Sequence, residues 1–67
     1  MRIWHQELEP GSCIEVLQDD RLIGYVIHFS GGWDCYVAGG NGDLRKIASN
    51  LYGKTEAISE TKRRAME

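Results

Sequence analysis

Little in this sequence marks a specialised chain. Among its 67 residues are one proline, one phenylalanine and two cysteines. No apolar run exceeds a few residues, which excludes a membrane-spanning helix and leaves no membrane partner to expect. Two cysteines, Cys13 and Cys35, are too few for a disulfide framework, and they do not form a C-x-x-C pair of the kind that binds zinc. The opening residues MRIWHQELEPG lack the apolar core and small-residue cleavage site of a secretory signal, so a cytoplasmic protein with reduced thiols is expected. There is no excess of basic charge either: eight Lys and Arg stand against ten Asp and Glu. A chain this short makes one small domain, residues 1–67, near the lower limit for folding without metals or disulfides. Its core leaves little room for a deep pocket, and the expectation is a non-enzymatic protein without cofactors.

What is present reads as an ordinary globular domain, 42% hydrophobic and 27% charged. The charge is uneven, with a net −4 over residues 1–42 and +2 over residues 43–67. Glu9 to Ser12 (EPGS) reads as a tight turn, with Pro10 fixing φ and Gly11 taking a positive φ. The runs CIEVLQ and LIGYVIHF then form a hairpin with Asp19 and Asp20 at its tip. Gly24, inside the second run, marks a bulge or a close approach by another side chain.

The stretch SGGWDCYVAGGNG sets a tryptophan-centred alternation between two glycine clusters. If Ser30, Gly31 and Gly32 form a three-residue loop, Phe29 faces Trp33. Tyr25, Ile27 and Phe29 then share a face with Trp33, Cys35 and Val37. A two-residue loop sends the two apolar sets to opposite faces, because a slip of one residue inverts every side chain. Burial favours the first register, with Gly32 as the left-handed residue. The second glycine cluster is the turn out of that strand. Residues 44–52 fit either a helix, which periodicity alone favours, or a further strand, Leu44 to Ser49, which is chosen because it closes the meander and agrees with the resemblance given below. KTEAISETKRRAME predicts a helix capped by Thr55, with Glu56 at its positive end and Lys62, Arg63 and Arg64 at its negative end. Its inner stripe (Ala57 or Ile58, Thr61, Ala65) is small, so it should lie close against the sheet.

The predicted fold is therefore α+β: an antiparallel β-meander of four to five short strands with one C-terminal helix packed on one face. The predicted core is Ile14, Val16, Ile23, Tyr25, Ile27, Phe29, Trp33, Cys35, Val37, Leu51 and Ile58.

GWDCY, the glycine turn, the short strand and KTEAISETKRRA, spanning Gly32 to Ala65, together resemble the arm-binding domain of phage lambda-type integrases. They are also similar to plant ethylene-response-type DNA-binding domains, three antiparallel strands on one helix. Asn41–Gly42 followed by SNLY resembles short bacterial proteins of ββα repeats. The resemblance implies a hairpin–strand–helix fold, a phage or prophage origin and a DNA-reading sheet face bearing basic and aromatic residues. Here that face would carry Glu15, His28, Asp34 and Tyr36 instead, and the net acidic charge further disfavours nucleic acid.

Four groups of residues are candidates for chemistry. His5, Cys13, His28 and Cys35 include zinc-ligand types, but their spacing and the expected placement of Cys13 and Cys35 on opposite faces argue against a metal site or a disulfide. Asp19 and Asp20 are explained by the turn. Arg45, Lys46, Lys54, Lys62, Arg63 and Arg64 form the basic half that a nucleic-acid-binding module would use, with Tyr36 or Trp33 as an aromatic contact. Trp4, Leu17, Leu22, Val26 and Tyr36, with Leu8, fall on the sheet face opposite the helix. An uncovered apolar patch of this kind marks a protein interface. The leading expectation is a small interaction module, a phage-encoded inhibitor or adaptor, whose partner is another protein or a second copy in a homodimer.

Overall fold

The computed structural model describes residues 2–29 and 31–66. Five strands, β1 (Ile3–Glu9), β2 (Cys13–Gln18), β3 (Arg21–Phe29), β4 (Gly32–Ala38) and β5 (Leu44–Leu51), precede one helix, α1 (Lys54–Ala65). The strands form a single antiparallel sheet in chain order, β1-β2-β3-β4-β5. α1 lies across one face of that sheet, so the architecture is the expected α+β meander with a C-terminal helix.

Local chemistry sets the turns. Ser12 N–H donates to the Glu9 carbonyl at 2.9 Å, and Gly11 takes φ +78°, as a proline–glycine turn requires. Asp19 and Asp20 connect β2 to β3, with Asp19 at φ +55°, a conformation that Asp tolerates better than most residues. This turn also anchors the start of β1. Asp19 N–H donates to the Arg2 carbonyl at 2.8 Å, Arg2 N–H donates to Asp19 Oδ1 at 3.1 Å, and the Trp4 indole donates to the Asp19 carbonyl at 2.8 Å.

The register between β3 and β4 differs from expectation. Phe29 pairs with Gly32 and His28 with Trp33, so Tyr25, Ile27 and Phe29 lie on the face opposite Trp33, Cys35 and Val37. Gly24 and Val26 take their place beneath the helix, while His28, on the same face, is exposed and stacks on Trp33. Two close approaches, neither of them visible in local alternation, fit this register. A Cβ on Gly24 would sit 2.4 Å from Thr61 Cγ2, and one on Gly32 would sit 2.8 Å from Asn50 Cα. α1 therefore presses on the one position of β3 without a side chain, and β5 crosses the first residue of β4. Gly32 is a strand residue with no room for a side chain, while Gly31 carries the positive φ of +90°. Ser30 lies outside the described residues.

The core follows from this register. It comprises Ile14, Val16, Ile23, Val26, Trp33, Cys35, Ala57 and Ile58, with Ile3, Ile47, Ala48, Leu51 and Ala65 packed around it. Val37 is also buried, whereas Phe29 is 68% exposed. Gly24 is both of the things expected of it. Helix contact takes its Cβ space, and the β2–β3 register breaks beside it, where Val16 pairs with Gly24 but Leu17 pairs with Leu22. Thr61 is fully buried, and its hydroxyl donates to the Ala57 carbonyl one turn back at 2.9 Å, so the helix interior holds no orphaned hydroxyl. Gly53, not Thr55, is the N-cap; it is extended and offers no side-chain bond, and its carbonyl accepts from Ala57 N–H at 3.0 Å.

Candidate interaction face

The one helix covers one face of the sheet, and among the described residues the other face stays open. The open face is organised in rows across the strands. The central row runs Gln6, Glu15, Tyr25, Tyr36, Lys46, each paired with the next across adjacent strands. Beside it run Trp4, Leu17 and Leu22 on β1 to β3, and on its other side Cys13, Ile27 and Asp34 on β2 to β4. Hydrogen bonds and ion pairs hold these side chains in place. Gln6 Nε2 donates to Glu15 Oε1 at 2.8 Å, and Tyr25 O–H donates to Cys13 Sγ at 3.2 Å. Lys46 Nζ lies 3.6 Å from Asp34 Oδ2 and 5.8 Å from the centre of the Tyr36 ring. The contact with Cys13, then burial, pushes the Tyr25 phenol above its ordinary value of 10.0.

Of the residues expected on this face, Trp4, Leu17, Leu22 and Tyr36 are there. Leu17 is buried between its neighbours, Trp4 and Tyr36 are half-buried, and Leu22 is exposed. Val26 is not. It is fully buried on the helix side, because the β3–β4 register sets even-numbered β3 residues beneath α1 there. Tyr25 and Ile27, expected in the core, are half-buried on the open face instead. Gly24 carried the missing signal: a strand residue that must accept a helix fixes which of its neighbours face the other way. Leu8 sits where the β1–β2 register breaks, and is 49% exposed.

The zinc-ligand types do not converge. Cys13 is on the open face, Cys35 is buried beneath the helix, and the His28 ring stacks on Trp33 at 4.6 Å. Burial pushes the Cys35 thiol up. Among the described residues, no three His, Cys, Asp or Glu side chains are grouped to hold a metal ion.

The basic residues are dispersed. Lys54 Nζ donates to Glu7 Oε1 at 2.9 Å. Arg63 and Arg64 both bind the Glu60 carboxylate, Arg64 Nε at 3.0 Å. Lys62 lies near enough to His5 to lower that imidazole's pKa, after burial. Lys46 belongs to the open face, and Arg45 is exposed on β5 opposite Val37. Four of the six thus meet a carboxylate of the same chain.

Comparisons with protein families, with curated proteins and with solved structures return no match to this chain.

Proposed function

We propose that this chain is a small non-enzymatic protein-interaction module whose working surface is the open face of the sheet. One observation carries the reading: Tyr25, Tyr36, Ile27, Trp4, Leu17 and Leu22 share a face that, among the described residues, no other element covers. Aromatic and aliphatic side chains ringed by charge are the composition of an interface centre and its rim, and an apolar patch left in water favours association. The nucleic-acid reading takes second place, because most of its cations already hold carboxylates.

The test is a pull-down with and without nuclease, using wild type and Leu22→Ser. Leu22 is the cleaner position, since the Trp4 indole also anchors β1 and Trp4→Ala loosens that strand as well. Capture that survives nuclease and weakens in Leu22→Ser, at unchanged melting temperature, supports the reading. Capture abolished by nuclease and by Arg63→Ala with Arg64→Ala, but indifferent to Leu22→Ser, replaces it with the nucleic-acid module.

A further inference from the structure

Within the central row of the open face, which begins at Gln6 on β1, two opposite charges flank the aromatic pair. Glu15 stands on β2 and Lys46 on β5, with Tyr25 and Tyr36 between them. Three strand spacings, about 14 Å, separate Glu15 from Lys46, so the two do not pair within one chain, where Glu15 accepts from Gln6 and the half-exposed Lys46 lies 3.6 Å from Asp34. Resting on the reading of the open face as an interaction surface, we propose that its occupant is a second copy of this chain. The two copies pack face to face about a two-fold axis parallel to the strands, passing between Tyr25 and Tyr36.

Symmetry and charge select this arrangement. Rotation about that axis reverses the row, so Glu15 meets Lys46 of the partner subunit and Tyr25 meets Tyr36 of the partner subunit. Each pair occurs twice, as a two-fold contact demands. The other in-plane axis, across the strands, would set Glu15 against Glu15 and Lys46 against Lys46, and like charges in contact are costly. Sheets stack about 10 Å apart, a gap that opposed Glu and Lys side chains bridge.

Edge-to-edge pairing is blunted on both sides, which leaves the face. β1 breaks register between Glu7 and Glu9, and β5 does so twice along its pairing with β4, and bulged edges resist strand addition. The area is also of the right order. An axis between β3 and β4 superposes the four strands β2 to β5, which at ~4.8 Å spacing make a face of roughly 450 Å² before side-chain relief is counted, against ~800 Å² per partner in specific complexes.

Charge reversal tests this by sedimentation equilibrium, with thermal melts to verify folding. Wild type is expected to dimerise. Glu15→Lys and Lys46→Glu are each expected to weaken dimerisation at least ~10-fold, because each creates two like-charge pairs. An equimolar mixture of these two variants restores association, since both cross-pairs are then attractive, and the double variant restores it as well. A monomeric wild type at the highest attainable concentration overturns the proposal. So do single reversals that dimerise as tightly as wild type, or a mixture that stays apart. A monomeric wild type that still loses nuclease-resistant capture in Leu22→Ser rules out the second copy but keeps the open face as an interaction surface. Loss of neither property in Leu22→Ser overturns that wider reading too.

Discussion

At the scale of single residues, Gly24 decides more than any apolar side chain. Thr61 Cγ2 occupies the space its Cβ would need, and the Tyr36 carbonyl lies 3.1 Å from the same point. Gly24→Ala is expected to destabilise the fold by about 1–3 kcal/mol, as overpacking does. Thr61→Ser removes the methyl and keeps the hydroxyl that bonds Ala57, so it should recover part of the loss in the Gly24→Ala background. Denaturant titration of the four proteins gives the coupling, and strictly additive effects would contradict the close packing. The two thiols make a second contrast. Cys35 is fully buried, with burial disfavouring its thiolate, whereas Cys13 is half-buried on the open face. A thiol reagent is expected to label Cys13 in the native protein and Cys35 only on unfolding, with the labelled residue identified by mass spectrometry.

At the scale of elements, the turns and the helix were legible in the sequence, while one register was not. Pro10–Gly11, Asp19–Asp20 and the second glycine cluster each mark their turn by local chemistry, and the small inner stripe of α1 announced its close packing. The Tyr25–Ile27–Phe29 alternation misled because burying those three residues appeared to gain the most. The choice instead rests on contacts distant in sequence, Gly24 with Thr61 and Gly32 with Asn50. Val26 moved into the core with that register, and Tyr25 and Ile27 moved out.

Charged contacts between β1 and α1, and within α1, carry a pH dependence. Hydrogen bonding from Lys54 and then from the Gly11 amide holds the Glu7 carboxyl below its ordinary 4.5, and Arg64 followed by Arg63 does the same for Glu60. Their stabilisation is fully present above pH 4.5 and is lost as pH falls through the depressed folded values. His5 is lowered from 6.5 by burial, then by Lys62 and Lys54, with Glu7 opposing. Below pH 6.5 the unfolded chain takes up that proton first, so stability also declines there. The melting temperature is expected to begin falling as the pH drops through 6.5, and His5→Gln should flatten that upper stage. Glu7→Gln should shrink only the lower one. An unchanged upper stage in His5→Gln would contradict the assignment.

At the scale of the whole molecule, a sheet of five strands with one helix has a covered face and an open one, and the account turns on the open one. Its aromatic centre and flanking charges are only partly legible in the sequence. Trp4, Leu17, Leu22 and Tyr36 follow from strand alternation, but the same alternation places Tyr25 in the core, which hides the Glu15–Tyr25–Tyr36–Lys46 row. The most direct test is a dilution series followed by amide chemical shifts. Concentration-dependent shifts are expected at Glu15, Leu17, Leu22, Tyr25, Ile27, Tyr36 and Lys46, with Ala57, Ile58 and the outer face of α1 unchanged. Shifts confined to α1 or to the β1 and β5 edges, or none at any concentration with or without a captured partner, would contradict the claim that this face is where the protein works.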